Sequence, residues 1–248
     1  MESVNNFSVC PHDTAKNIFG WFLLNTYLQR KLKCSIHFEP CENFVEERGN
    51  VFGGEYQLVY TNPYSALLFC DELGFIPIAR PIGVFDETCL VAKQDADLSA
   101  EKIKVAAATD QLIVYDLGLL LLGQQNIPQQ RCDFSFVGTH LKAVQSVVRG
   151  DHDLAFVFNE TWAGLTESTR TSLRLVAESS SHQAYHCFCV APEWIDKREE
   201  FQGILCGMQN DPHGKQILDD LHIQGFEALP VDALDALRAL VAKTAPGF

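Results

Sequence analysis

The stretch Val137–Trp162, VGTHLKAVQSVVRGDHDLAFVFNETW, contains the pattern that decides the fold. A Gly138-Thr139 turn precedes the helical segment His140–Arg149, and a glycine then ends that segment. The apolar run Leu154–Phe158 that follows is typical of a buried strand. Another strand, Asp133–Val137, leads into the turn. A strand, a helix and a second strand in this order indicate parallel pairing in an α/β fold.

The same alternation continues in both directions from this stretch. The predicted strands are Asn6–Cys10, Cys34–Glu39, Tyr56–Tyr60, Phe75–Arg80, Thr88–Lys93, Lys102–Ala107, Leu173–Ala177 and Tyr185–Val190. The predicted helices are 14–33, Cys41–Arg48 with its charged positions outward, Tyr64–Glu72, Leu112–Leu122, Asn159–Leu165, Glu193–Met208, Gly214–His222 and Val231–Lys243. The sequence therefore predicts an α/β protein with parallel sheets and no single linker between domains.

Composition and charge limit the functional class. The chain has 248 residues, 47% of them apolar, which is enough for a sizeable core. Its formal net charge of −13 argues against binding to nucleic acid or to an anionic membrane, because both need a basic surface. The longest apolar run, Gln111–Gly123, contains Asp116 and is too short to span a bilayer. We therefore expect neither nucleic-acid binding nor membrane insertion.

The N-terminus and the cysteines bear on localisation. Met1–Cys10 has no basic or apolar region of the signal-peptide kind, and the nine cysteines are an odd number without a CxxC pair. We expect reduced thiols in a cytoplasmic protein. If a leader has been removed, the location would be periplasmic.

Five turns that follow strands carry small or polar residues and start a helix. They are Cys10-Pro11-His12-Asp13, Thr61-Asn62-Pro63-Tyr64, Ala108-Thr109-Asp110, Gly138-Thr139-His140 and Asn159-Glu160-Thr161. In open α/β sheets, ligands bind beyond the carboxyl ends of the strands, and helix N-termini there favour anions. Each turn can equally be an ordinary helix cap. His12 and His140, at two of these helix starts, are candidates for ligand binding or proton transfer, or simple surface histidines.

A cluster of histidine and cysteine, Ser181–Cys189 (SHQAYHCFC), raises the question of a metal site. Strand alternation would turn His186 away from Cys187 and Cys189, so buried structural thiols are the preferred interpretation. No motif for nucleophilic, metalloprotease, P-loop or dinucleotide chemistry is present. We therefore predict no metal, no cofactor and no catalytic residue. Asp116 is either a paired core acid or a pocket residue.

Four segments, in order, resemble the substrate-binding proteins of phosphonate- and phosphate-type ABC transporters. Val137–Trp162 is similar to the family's "GSH"-like turn, its helix and its "V..G.AD.A.V" strand. Val9–Asp13 resembles the opening strand and turn, and Tyr56–Tyr64 resembles the "yDl.y..P..y" segment. Leu173–Ser181 and Asp211–Gly225 resemble the "r.l..S" strand and the C-terminal helices. The resemblance covers nearly the whole chain.

This resemblance implies a two-lobed type II periplasmic-binding-protein fold with a ligand cleft between the lobes. The chain would cross between lobes near Phe85–Leu90 and Tyr185–Val190. Lobe one would then contain residues 1–86 plus 189–248, and lobe two residues 87–188. The implied function is binding of a small polar or anionic metabolite by lobe closure, as a transporter component that works with an ABC permease or as a sensor with a signalling partner.

One departure from the family bears on the ligand. Where the family has a Ser-Thr-Ser-Gly-like turn, this chain reads Ala108-Thr109-Asp110-Gln111, and the carboxylate would repel a dianion unless it is protonated or paired. A cationic, zwitterionic or neutral ligand is favoured instead. We expect Thr139 and Ser179 to donate hydrogen bonds and Asp110 to select a donor on the ligand. The predicted ligand-binding residues are His12, Asn62, Tyr64, Thr109, Asp110, Thr139, His140, Asn159 and Ser179.

Two alternatives remain open from the sequence. The first is a cytoplasmic lyase or transferase on the same fold, similar to chorismate dehydratase or to thiamine-pyrimidine synthase. In that enzyme His12 or His140 would be the base and Asp110 the acid or orienting carboxylate. The second is a degenerate pair of lobes that serves as an interaction module, which predicts a filled or flat cleft.

Overall fold

The computed structural model describes residues 5–244, which form two compact units. The first unit contains the chain up to Val84 and the segment Tyr185–Asp235. The second contains Phe85–Ala184 and the chain from Ala236 onward. The sequence-based division placed that last segment in lobe one. In the structure the Thr244 hydroxyl, at its end, donates a hydrogen bond of 2.8 Å to the buried Asp116 carboxylate of the second unit.

The elements alternate along the chain as the sequence predicts for an α/β protein. The strands are Asn5–Val9 (β1), Ile36–Phe38 (β2), Leu58–Thr61 (β3), Ile76–Pro81 (β4), Thr88–Lys93 (β5), Ile103–Ala107 (β6), Cys132–Phe136 (β7), Leu154–Phe158 (β8), Leu173–Glu178 (β9), Cys187–Val190 (β10) and Phe226–Ala228 (β11). The helices are Pro11–Leu32 (α1), Phe44–Phe52 (α2), Pro63–Leu73 (α3), Ile113–Gln124 (α4), His140–Arg149 (α5), Asn159–Ala163 (α6), Glu167–Thr171 (α7), Arg198–Gly207 (α8), Pro212–Asp220 (α9) and Asp235–Val241 (α10).

The first unit is built on a six-stranded mixed sheet in the order β11-β4-β10-β3-β1-β2. Strands β1, β2 and β3 are parallel, whereas β10 is antiparallel to both β3 and β4. Val9 is paired with Tyr60, and Cys187 with Thr61. The carboxyl ends of β1 and β3 and the first residue of β10 therefore lie at one edge of this sheet.

Aromatic side chains hold the core of the first unit together. The ring of Phe188 on β10 lies 4.9 Å from that of Tyr60, 5.9 Å from that of Phe7 and 5.3 Å from that of Phe226, measured between centroids. Each fully buried side chain of this size contributes roughly 1.5–3 kcal/mol through the hydrophobic effect. Phe226 belongs to β11, a three-residue strand that the sequence pattern did not predict.

The second unit has a five-stranded sheet in the order β7-β6-β8-β5-β9. Strand β6 is parallel to β7 and β8, and β5 is antiparallel to β8 and β9. Thr88 is paired with Phe158, and Ala107 with Phe136. The carboxyl ends of β6, β7, β8 and β9 and the start of β5 therefore share one edge of this sheet.

Helices cover both faces of the second sheet. Helix α4 approaches so closely that a Cβ atom on Gly118 would lie 2.4 Å from the Phe156 ring. Helix α5 buries Ala143, Val144 and Val147 against the opposite face and ends at Gly150, whose φ of +80° is the left-handed conformation typical of glycine at a helix end.

Three predicted helices differ most from the observed ones. The helix predicted at Cys41–Arg48 is Phe44–Phe52, and the prediction that its charges all point outward is wrong, because Glu47 is fully buried. The segment Glu193–Met208 begins as a 3-10 turn before the helix Arg198–Gly207, and the predicted Val231–Lys243 shortens to Asp235–Val241. Over residues 5–244, no helix combines the length and the apolar character that a bilayer span requires.

Candidate functional site

The sheet edge of the first unit gathers ionisable side chains from three separate segments. Cys10 and Asp13 lie at the start of α1, Glu47 lies on α2, and His186 directly precedes β10. The parallel arrangement of β1 and β3 and the reversed β10 bring these segments together. Cys10 is fixed by its own backbone, whose N–H donates to the Tyr60 carbonyl at 2.6 Å.

Asp13 and His186 form a close pair. Nδ1 of His186 lies 2.7 Å from Oδ2 of Asp13, and the side chains are 11% and 17% exposed, respectively. Burial raises the pKa of Asp13, but the charge and hydrogen bond of His186, helped by Lys16 and His12, hold the pKa below its ordinary value. The carboxylate is therefore ionised in the folded protein near neutral pH.

Cys10 completes a three-residue cluster with this pair. One ligand atom each of Cys10, Asp13 and His186 lies within 4.8 Å of the others. The Cys10 side chain is fully buried, and this burial raises its pKa to about 12, although His186 acts in the opposite direction. The group is therefore a thiol at neutral pH and is not activated as a nucleophile.

Glu47 lies next to the cluster. Its side chain is fully buried, and burial raises its pKa to about 7, while Thr61, Arg48 and His186 lower it. Among residues 5–244, neither carboxylate oxygen of Glu47 has a hydrogen-bond partner at ordinary distance and angle. Carboxyl groups whose pKa is raised in this way by burial concentrate at functional sites.

Of the predicted site residues in the first unit, Asn62 and Tyr64 have structural partners. The side-chain oxygen of Asn62 accepts from the Ser65 N–H at 3.0 Å and caps α3, and its amide donates to the Ser65 hydroxyl at 3.1 Å. The Arg48 guanidinium lies 4.8 Å from the centroid of the Tyr64 ring, and its Nε donates to Ser65 at 3.0 Å. His12 lies beside Asp13 on α1 and lowers its pKa.

In the second unit, two predicted site residues, Ser179 and Asn159, contact the segment from Phe85 to Thr88. The Ser179 hydroxyl donates to Glu87 and accepts from the Thr88 N–H at 2.8 Å. The His182 N–H donates to the same carboxylate at 2.7 Å. The Asn159 amide donates to the Phe85 carbonyl at 3.2 Å, and its oxygen accepts from the Glu87 N–H at 3.3 Å. Asn159 and Ser179 are thus hydrogen-bonded to the two ends of the segment from Phe85 to Thr88.

The remaining predicted residues lie at the starts of α4 and α5. Thr139 caps α5 by accepting from the Lys142 N–H at 3.1 Å, and the His140 ring lies 6.0 Å from the Phe158 ring. The Thr109 hydroxyl accepts from the Gln111 N–H at 3.2 Å and lies 3.4 Å from the exposed Asp110 carboxylate. The structure thus places three predicted residues at the edge of the first sheet and six at the edge of the second.

The sequence prediction missed the cluster around His186. Cys10 and Asp13 belong to a turn that the sequence singled out, but only His12 was chosen from it. His186 was discounted because strand alternation would turn it away from Cys187 and Cys189. Its ring does lie beside Tyr60, like that of Phe188, while the two cysteine sulfurs lie together. What the sequence did not show is that Cys10 and Asp13 lie beside His186. The sequence did contain one signal for this cluster: Cys10 directly follows a buried strand, and Asp13 comes three residues later in the first turn of the next helix.

A sequence match identifies the family. Residues 7–233 match the family described as the periplasmic substrate-binding protein of phosphonate ABC transporters. The chain belongs to this family, and binding of a small ligand is its function. The family acts in the periplasm. No curated protein sequence matches the chain.

Solved structures share the two-lobed fold at low sequence identity. PhnD1 from Prochlorococcus marinus in complex with methylphosphonate is 13% identical, with a TM-score of 0.76 and 97% of each chain covered. A binding component of an ABC phosphonate transporter from Pseudomonas aeruginosa is 14% identical, with a TM-score of 0.71 over 98% of this chain and 87% of that one. A Xanthomonas citri protein bound to chloride is 15% identical, with a TM-score of 0.79 and 97% of each chain covered. None of these similarities supports the enzyme alternative.

Proposed function

We propose that the chain is a receptor for a small polar metabolite that carries a hydrogen-bond donor or a positive charge. The residues on which the proposal rests lie at the carboxyl edge of the sheet in the second unit. The observation that carries the proposal is the exposed Asp110 carboxylate, which follows β6 immediately before α4.

The charge of Asp110 bears on ligand selection. A dianion such as phosphate or methylphosphonate would be repelled by a carboxylate within a few ångströms, and the partner that the structure gives the Asp110 carboxylate is the neutral Thr109 hydroxyl. The Thr109 hydroxyl, 3.4 Å away, weakly stabilises the charge. An ammonium, amide or hydroxyl group on the ligand would gain from this carboxylate.

The neighbouring helix start suits the opposite end of such a ligand. Helix α5 has ten residues, and its first free N–H groups follow the Thr139 cap. These groups and the positive end of the helix dipole favour an anionic or strongly accepting group. A zwitterionic metabolite therefore fits both features of the second unit better than a bare oxyanion does.

We propose that Thr139 and Ser179 act on the ligand mainly by positioning neighbouring backbone groups. Both hydroxyls already have protein partners, since Thr139 caps α5 and Ser179 donates to Glu87. We propose that Thr139 acts mainly by fixing the N–H groups of α5. Ser179 would act by fixing the start of β5 and the segment after β9.

The proposed partner follows the family in outline, whereas the proposed location differs from the family's periplasmic one. We propose an ABC permease, or a signalling partner, as the protein that reads the liganded state. For this chain we propose a cytoplasmic, reducing location, which is supported by an odd number of cysteines, six of them buried.

A thermal-shift panel tests the proposal. The panel contains phosphate, methylphosphonate, sulfate, an aminoalkylphosphonate, amino acids and nucleobases. A ligand at 100 times its dissociation constant adds about 2.7 kcal/mol to the stability of the folded state. We expect stabilisation by a compound with a donor or cationic group. Stabilisation by methylphosphonate or phosphate alone would contradict the role given to Asp110.

A further inference from the structure

We propose that Cys10, Asp13 and His186 form a binding site for one divalent transition-metal ion, with Zn²⁺ as the best match. The ligand atoms of the three side chains lie within 4.8 Å of one another, so a single ion can contact all three after small side-chain movements. This proposal does not depend on the identity of the small ligand or on Asp110.

The chemistry of the three donors selects the class of metal. Cys10 offers sulfur, His186 offers an imidazole nitrogen and Asp13 offers a carboxylate oxygen. This mixed set is typical of Zn²⁺ and of Co²⁺ in the same sites, whereas Mg²⁺ and Ca²⁺ prefer oxygen ligands alone. On binding, the metal replaces the thiol proton of Cys10 and, where His186 carries a positive charge, one imidazolium proton, and these protons pass to the buffer.

The backbone holds these donors in place. Cys10 occupies the N-cap position of α1 and Asp13 lies in its first turn. The Asp13 N–H donates to the Cys10 carbonyl at 2.9 Å, which closes this turn. His186 reaches them from the residue before β10, which is hydrogen-bonded to β3. Because the donors come from rigid elements of one unit, little chain ordering opposes metal binding.

Glu47 is a second observation that points to a cation. Its carboxylate is fully buried and has no hydrogen-bond partner of ordinary geometry within the part of the chain that the structure describes. It lies close enough to Cys10, Asp13 and His186 for their charges to interact. Burying the Glu47 carboxyl group beside Asp13 and Cys10 costs free energy. A divalent ion would compensate the negative charges of the two carboxylates and of the Cys10 thiolate that forms on metal binding.

The test uses the full chain after treatment with a chelator. Titration with Co²⁺ should produce a sulfur-to-cobalt charge-transfer band and visible cobalt bands, which saturate at one ion per chain. Zn²⁺ should abolish these bands by displacement, and Mg²⁺ and Ca²⁺ should not. Absence of the charge-transfer band would overturn the proposal.

Variants assign the band to this cluster. Cys10→Ser should remove the charge-transfer band and weaken Co²⁺ binding more than about 10-fold. The matched control is Cys41→Ser, which replaces another buried thiol of the same unit outside the cluster and should keep the band. A band that survives in Cys10→Ser but disappears in Cys187→Ser would place the metal at the Cys187–Cys189 pair, whose sulfur atoms are 3.6 Å apart, and would overturn the assignment.

His186→Gln covers the case in which Cys10→Ser does not fold. The fold of each variant is checked first by circular dichroism. In a folded His186→Gln chain, the visible cobalt bands should change shape and binding should weaken by a similar factor. Unchanged bands and affinity in this variant would overturn the proposal.

Discussion

Nδ1 of His186 lies 2.7 Å from Oδ2 of Asp13, although 172 residues separate them along the chain and both side chains are largely buried. Asp13 comes from the first turn of α1, and His186 from the residue before β10. The pair therefore links the beginning of the first unit to the segment where the chain returns to it.

Breaking this pair should destabilise the protein. In metal-free protein, Asp13→Asn should lower the free energy of unfolding at pH 7 by about 3 kcal/mol, because one partner of a buried pair remains without the other. Since the pKa of Asp13 is lowered on folding, its contribution is present above the unfolded pKa of about 3.9 and is lost as the pH falls through the folded value. Urea unfolding at pH 7 and at pH 3 measures both effects.

The exposed pair of His37 and Glu39 provides the control. Its atoms are 3.5 Å apart and its side chains are 58% and 71% exposed. Glu39→Gln should leave the stability unchanged within error, because water screens exposed pairs. If Asp13→Asn and Glu39→Gln lowered the free energy of unfolding equally, burial would not explain the contribution of the Asp13–His186 pair.

Glu47 predicts a second pH dependence, of opposite sign. Its folded pKa of about 7 lies above the ordinary value of 4.5, so its contribution to stability is fully present below pH 4.5 and is lost as the pH rises to 7. In metal-free protein, Glu47→Gln should remove this loss and raise the free energy of unfolding at pH 8 by about 1–3 kcal/mol relative to wild type. Glu42→Gln, an exposed carboxylate near the same helix, is the control. Parallel pH profiles for wild type and Glu47→Gln would refute the prediction.

Two glycines of α4 should respond in opposite ways to alanine. Gly118→Ala places a Cβ atom 2.4 Å from the buried Phe156 ring and should lower the free energy of unfolding by about 1–3 kcal/mol. Gly123→Ala meets nothing within 4 Å and should raise it by about 0.5–1 kcal/mol, because alanine favours the helix. Urea unfolding of both variants measures the difference. A neutral Gly118→Ala would mean that α4 does not pack so closely on β8.

Thr139 should matter for both stability and ligand binding. Thr139→Ala removes the cap of α5 and should lower the free energy of unfolding by about 0.5–2 kcal/mol. It should also weaken binding of a confirmed ligand, because the first N–H groups of α5 lose their fixed position. Thr139→Ser, which keeps the hydroxyl, should restore both. Unchanged affinity in Thr139→Ala would remove Thr139 from the ligand site.

Much of the fold could be predicted from the sequence because its signals are local. The apolar run at Leu154–Phe158 and the turn at Gly138-Thr139 correspond directly to β8 and to the start of α5. Four motifs in the same order as in a known family then indicated the family and its two-lobed fold. The short strand β11 has no comparable signal, because three residues are too few to show a period.

The candidate site was harder to predict because it depends on where strands begin and on which side of a helix is buried. Glu47 looks like a surface residue in sequence, but α2 turns it inward beside Thr61. His186 follows the alternation of β10, with its ring near Tyr60 like that of Phe188, but its partners Cys10 and Asp13 come from a distant segment. Such contacts between distant segments leave no periodic pattern in the sequence.

The most direct test of the proposed function is isothermal titration calorimetry on wild type and on Asp110→Asn. The ligands are an aminoalkylphosphonate and methylphosphonate, which share the oxyanion and differ in the ammonium group. The account predicts that wild type prefers the ammonium compound and that Asp110→Asn loses most of this preference. Asp133→Asn, which changes another exposed carboxylate of the same unit, should keep it. Tight methylphosphonate binding by wild type that Asp110→Asn does not improve would contradict the account.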